Sequence, residues 1–214
     1  MKKISLIVYD FDGTLVDTFA DIADSVNLAL TEMGLESLDK KTIRGYIGNG
    51  MVNLMTMSLK KSGCNDIETS VLLFQKHYSH HLLDQTNFYP NGKEIVEYFF
   101  DKKNAVLSNK PINFIEKILK ALSFFKPFDS IIGGDSLNVK KPDPKGLILI
   151  MNKFNCPPEK TLMIGDSSID IETGKHAGVI TCGVSYGLGN LGSLTSSNPD
   201  YLIDNLSQLK SLFN

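Results

Sequence analysis

What most limits the fold of this chain is a change in the rhythm of its apolar residues. The run Ile4-Ser5-Leu6-Ile7-Val8-Tyr9 has the length of a buried strand, yet no second strand pattern appears until Ala105. Helical repeats fill the interval. Phe19, Ile22, Ala23, Val26, Leu30 and Met33 recur at helical spacing, which predicts a helix over 17–33 ended by Gly34. Further helices are expected near 51–61 and 67–83, and Pro90-Asn91-Gly92 marks a turn. Beyond it, helices at 92–100, 113–122, 144–154 and 168–176 alternate with strands at 105–107, 130–132, 161–164 and 179–184. A last strand at 201–203 and a closing helix complete the pattern.

Such alternation builds a parallel sheet with helices on both faces. The expected fold class is therefore α/β, with a Rossmann-like parallel-sheet core made of residues 1–15 and 86–214. Residues 16–85 form a small all-α cap domain inserted after the first strand. Ligands of such sheets bind outside the carboxyl ends of the strands, where the insertion would sit as a lid.

The first strand ends in Asp10-Phe11-Asp12-Gly13-Thr14-Leu15. Side chains alternate along a strand, so Asp10 and Asp12 start out on the same side, and Gly13 permits a sharp departure. Two adjacent carboxylates repel unless a cation or a shared proton relieves them. A loop reading of a lone D-x-D-G is the competing explanation. Two later strands also end in polar clusters, Ser108-Asn109 and Gly165-Asp166-Ser167-Ser168-Ile169-Asp170, and Lys140-Lys141-Pro142-Asp143-Pro144 lies before the next long helix. Carboxylate oxygens suit a hard cation such as Mg²⁺, and a hydroxyl, backbone amides and a lysine suit phosphate oxygens.

In order and spacing these four segments resemble the four motifs of the haloacid dehalogenase-like hydrolase superfamily, in its phosphatase branch with a helical cap. Arg44-Gly45-Tyr46-Ile47-Gly48-Asn49-Gly50 is similar to a cap segment of the phosphoglycolate phosphatases in that branch. The resemblance implies a Mg²⁺-dependent phosphomonoesterase acting on a small phosphate ester, phosphoglycolate first among them. Asp10 would be the nucleophile that forms an aspartyl-phosphate, and Asp12 the general acid and base. The metal would be held by Asp10, the Asp12 carbonyl and Asp166, with Asp170 as a further ligand or behind the ligands. Ser108, Asn109 and Lys141 would cradle the phosphoryl group, with Thr14, Arg44, Gly48, Asn49 and Gly50 as further substrate-binding positions. Lys140 and Lys141 are physically equivalent candidates, and Lys141 is chosen because it precedes Pro142 as in the family pattern. Asp170 has a competing role at a helix N-terminus, and Arg44 a competing role as a solvated surface residue. Relatives that act as mutases carry a His where this chain has Ile22, so hydrolysis is favoured.

Other signals carry less. Gly187-Leu188-Gly189-Asn190-Leu191-Gly192 fits G-x-G-x-x-G, but no helix is expected after it, so it reads as a glycine-rich loop near the site rim. His77, His80 and His81 lack a third-ligand pattern and read as a polar helix face, and Cys182 reads as a core residue. A net charge of −2 without a basic stripe argues against a nucleic-acid partner. No run approaches the ~20 apolar residues of a membrane span, and Asp10 cuts the opening run too short for a signal peptide. Three cysteines without C-x-x-C spacing suit a cytoplasmic protein, expected as a monomer or homodimer. Rival readings are a phosphatase for pyrophosphate, nucleotides or sugar phosphates, and a phospho-accepting signalling module.

Overall fold

The structure, a computed structural model, describes residues 1–214. Six strands pair in parallel: β1 (Leu6–Tyr9), β4 (Lys103–Leu107), β5 (Ser130–Ile132), β6 (Thr161–Gly165), β7 (Ile180–Val184) and β8 (Tyr201–Ile203). Their order across the sheet is β5-β4-β1-β6-β7-β8, so β1 lies between β4 and β6. Alternation splits β1 between two cores: Ile7 and Tyr9 join the larger one, Leu6 and Val8 the smaller. Both faces are covered, which is why β1 reads as an unbroken apolar run.

Helix α5 (Gly92–Tyr98) and helix α6 (Ile112–Ala121) contribute to the larger core, and α7 (Lys145–Lys153) to the smaller. Helix α6 buries Phe114, Ile115, Ile118 and Leu119, one stripe at helical spacing. Each such side chain contributes ~1.5–3 kcal/mol relative to exposure. Helix α8 (Ser168–His176) follows β6 and starts in a capping box between Ser167 and Asp170.

Between β1 and β4 lie α1 (Phe19–Glu32), α2 (Lys40–Arg44), α3 (Met51–Leu59) and α4 (Ile67–His81). Ile22, Val26 and Leu30 of α1 share a core with Phe74 and Tyr78 of α4. Asp39 and Asp66 cap α2 and α4 by accepting from the Thr42 and Thr69 amides. The chain enters this block through β2 (Val16–Asp17) and leaves it through β3 (Asn87–Phe88), and these two short strands pair antiparallel.

Several expected elements differ in detail. The first helix starts at Phe19 rather than residue 17, because 16–17 pair with 87–88 and the Asp17 carboxylate accepts from the Phe19 amide at 3.1 Å. The closing helix is a 3-10 turn (Leu206–Gln208) followed by the four-residue α10 (Leu209–Leu212). A helix does start at the end of the glycine-rich segment: α9 (Leu191–Ser196) takes in Leu191 and Gly192 and is capped by Asn190, whose side chain accepts from the Ser193 amide. No helix is long and apolar enough to cross a membrane.

Candidate active site

β1, β4 and β6 are neighbours, so the residues that follow them meet at one sheet edge. Asp10 follows β1, Ser108 and Asn109 follow β4, and Asp166 follows β6; all four are buried. Gly13 has φ +84°, and an added Cβ would lie 2.2 Å from Asp166 Oδ2, so only glycine lets the first loop pass this close. Asp10, Asp166 and Asp170 bring carboxylate oxygens within 4.8 Å of one another.

Lys141 enters this acidic cluster. Its ammonium hydrogen-bonds Asp170 and lies 2.8 Å from Asp10 Oδ1, with a side chain 3% exposed. The approach to Asp10 Oδ1 is close but off the hydrogen-bonding direction, which leaves that buried oxygen without an aligned partner. Lys140, its neighbour, is exposed, so geometry distinguishes two lysines that are physically equivalent in the sequence. Burial pushes the Asp10 carboxyl up to about 6; Lys141 opposes the shift and Asp170 adds to it. Burial, Asp170 and Asp10 push Asp166 up to about 8. For Lys141, burial disfavours the charge, but Asp10 and Asp170 outweigh it and hold the lysine protonated.

Asp166 is held by the glycine-rich loop. Its Oδ2 accepts from the amides of Leu188 at 2.6 Å and Gly189 at 2.9 Å. The glycine-rich loop therefore supplies backbone donors to a carboxylate. An added Cβ at Gly187 would lie 2.2 Å from Asp166 Cβ. Asp170 spends both oxygens, one on Lys141 and the other on the Ser167 amide and hydroxyl. Asp12 Oδ1 accepts from Thr18 Oγ1 at 2.6 Å and from Lys110 Nζ at 2.9 Å, while its Oδ2 has no partner in the protein.

A cleft between the sheet edge and the helical block is lined by Asp10, Asp12, Ser108, Asn109, Lys141, Asp166, Gly48 and Gly50, among others. The Asn109 side chain bridges core and block, donating to the carbonyls of Gly48 and Lys141 and accepting from the Lys141 amide. Three expected substrate contacts lie elsewhere. Thr14 is wholly buried in the turn after Gly13, its carbonyl taken by the Tyr186 hydroxyl. Asn49 is exposed and does not line the cleft. Arg44 donates to the carbonyls of Gly187, at 2.5 Å, and Leu188, and lies over the Phe19 ring instead of facing the cleft.

The chain also matches known proteins. The family model described as haloacid dehalogenase-like hydrolase matches residues 7–184. This chain belongs to the haloacid dehalogenase-like hydrolases. Among proteins similar to this hydrolase, a phosphoglycolate phosphatase from Haemophilus influenzae is 35% identical over 98% of both chains. One from Psychrobacter arcticus is 36% identical over 95% of this chain and 93% of its own. A crystal structure described as a predicted phosphoglycolate phosphatase from Haemophilus somnus 129pt superposes with a TM-score of 0.93. It is 30% identical and covers 98% of this chain and 97% of its own. Membership of a hydrolase family sets aside the signalling-module reading.

Two groups of site residues escaped the sequence reading. Lys110 and Tyr78 line the cleft, and Thr18 contacts Asp12. Lys110 directly follows Ser108-Asn109 and so was open to view as a third polar residue at that strand end. Tyr78 gave no signal among the polar residues Gln75, Lys76, His77 and His80 of α4, and Thr18 gave none as a lone hydroxyl just before α1. The histidines diverge: His77 binds Glu32, His80 the Lys76 carbonyl and His81 Asp84. Cys182 is fully buried, and burial pushes its thiol up to about 12, as a core residue requires.

Proposed function

We propose that this hydrolase is a Mg²⁺-dependent phosphomonoesterase that cleaves a small phosphorylated metabolite, phosphoglycolate foremost, through a phosphoryl-aspartate on Asp10. The observation that carries the reading is the pair of unspent oxygens at the strand end. Asp10 Oδ2 and Asp12 Oδ2 accept no hydrogen bond within the protein, whereas Asp10 Oδ1 faces the Lys141 ammonium. One is available to attack phosphorus and the other to hold a proton for the leaving oxygen.

The donor set fits a hard divalent cation: three buried carboxylates converge, and two of them bind protons too tightly for their type. Asp10, the Asp12 carbonyl and Asp166 would hold it, with Asp170 fixing Lys141 behind them. Such an ion, when bound, neutralises phosphate charge against the nucleophile. Lys141 stays charged beside Asp10 and, with Ser108 and the Asn109 amide, receives the phosphoryl oxygens. Asp12 donates its proton to the departing alcohol, then accepts one from the water that hydrolyses the acyl phosphate. The block of residues 16–85, hinged at the paired strands β2 and β3, acts as the cap that excludes bulk water.

The substrate choice rests on the named relatives, alike over nearly the full chain, and on Gly48 and Gly50 at the cleft wall. Three free cysteines, two of them buried, suit a reducing cytoplasm. Phosphate release from phosphoglycolate, pyrophosphate, nucleotides and sugar phosphates, with and without Mg²⁺, tests the proposal. Fastest Mg²⁺-dependent release from phosphoglycolate is expected. Equal rates across the panel would leave a general phosphatase, and no release at all would end the reading.

A further inference from the structure

The cleft holds an ammonium that the phosphoryl chemistry does not use. Lys110 is 7% exposed and follows the Ser108-Asn109 pair, and its Nζ donates to Asp12 Oδ1 at 2.9 Å and Tyr78 Oη at 2.7 Å. An ammonium has three donors, so two partners leave one for a ligand. The group is firmly placed. Its Nζ lies 4.6 Å from the Tyr78 ring centroid, and that ring is stacked on Phe74 and met edge-on by Phe114.

We infer that Lys110 is the specificity-determining residue that receives a carboxylate on the leaving group, so that the site selects phosphate esters of 2-hydroxy acids. The inference rests on the phosphomonoesterase reading and deepens it. Asp12 is the group that protonates the bridging oxygen, and Lys110 is bonded to that same carboxylate. In an ester of a 2-hydroxy acid the carboxylate carbon lies two bonds from the bridging oxygen, which brings its charge beside Lys110. The other cation that lines the cleft, Lys141, is committed, and so is Arg44. Lys141 serves Asp10 and Asp170, and Arg44 serves the Gly187 and Leu188 carbonyls. A substrate carboxylate entering past Asp10, Asp12 and Asp166 also needs a cation to offset their repulsion. The rest of that wall is apolar, including Ile22, Leu54, Phe74 and Phe114, so an uncharged leaving group would not use Lys110.

The test compares phosphoglycolate with ethyl phosphate, in which a methyl replaces the carboxylate, using the full chain with Mg²⁺. The readout is the ratio of the two kcat/KM values. Wild type is expected to prefer phosphoglycolate. Lys110→Met is expected to lower that ratio at least about tenfold, mainly through KM, as for one lost charge-assisted hydrogen bond. Lys110→Arg should restore part of it, and Arg44→Ala should keep the wild-type ratio. If Lys110→Met does not fold, Lys110→Gln is read in the same way. An unchanged ratio, with both esters slowed equally, would reduce Lys110 to a support for Asp12 and overturn the inference. Failure of the wild type to hydrolyse either ester would instead overturn the phosphomonoesterase reading itself.

Discussion

Arg44 and Gly187 join the helical block to the core: the guanidinium donates to the Gly187 carbonyl at 2.5 Å. The next two residues of that loop, Leu188 and Gly189, present their amides to Asp166. One arginine on the block thus braces the loop that orients a proposed metal ligand.

Removing that brace should weaken metal binding more than chemistry. Arg44→Ala is expected to raise the Mg²⁺ concentration for half-maximal activity by about tenfold, the low end for groups behind metal ligands. Activity titrated against Mg²⁺ measures it. An unchanged midpoint would show that the loop holds Asp166 unaided.

Asp12→Asn should separate the two half-reactions. Turnover of phosphoglycolate is expected to fall by at least about 10²-fold, since the alkoxide leaves without its proton. An aromatic phosphate ester, whose leaving group needs no proton, should still give a burst of phenolate before a slow steady state. Rapid mixing at high enzyme concentration reads the burst, and its absence with the aromatic ester would contradict the role of Asp12 as acid.

Gly13→Ala combines a disfavoured backbone, at φ +84°, with a Cβ 2.2 Å from Asp166 Oδ2. The left-handed conformation alone costs about 1–2 kcal/mol, and the displaced carboxylate should add a large loss of activity. Thermal melting and kcat together check this. Wild-type values of both would show that the loop relaxes without moving Asp166.

Stability without metal should depend on pH in a stated direction. Asp10 is pushed up to about 6 and Asp166 to about 8 in the folded chain, against an ordinary 3.8. Between about pH 4 and 8 the folded state therefore binds more protons than the unfolded one, so stability falls as pH rises. In chelator the melting temperature should drop across this window, and Mg²⁺ should raise it most at the alkaline end. A melting temperature that climbs across the window would contradict the clustering.

The acidic cluster was legible because it lies at strand ends, where alternation fixes which side a carboxylate takes. Asp10, Ser108 and Asp166 could be placed at one sheet edge that way, while Lys141 was singled out from Lys140 only by resemblance to the family pattern. Lys110 and Tyr78 were not: the contacts that matter join Lys110 to residues 98 and 32 positions away, and no local pattern records them. The paired strands β2 and β3 are two residues each, too short for any period. Helix α9 hid behind Gly192, Ser193 and Thr195, weak helix formers, although Asn190 offered a capping signal. A guanidinium suits a substrate carboxylate or open solvent equally well, so residue type does not reveal that two loop carbonyls hold Arg44.

The central claim is that Asp10 carries the phosphoryl group. Acid quenching during turnover of phosphoglycolate, followed by peptide mapping by mass spectrometry, tests it most directly. One added phosphoryl group on Asp10, absent from inactive Asp10→Asn, is the predicted result. Phosphate release by Asp10→Asn at the wild-type rate, or a phosphoryl group on another residue, would contradict the account.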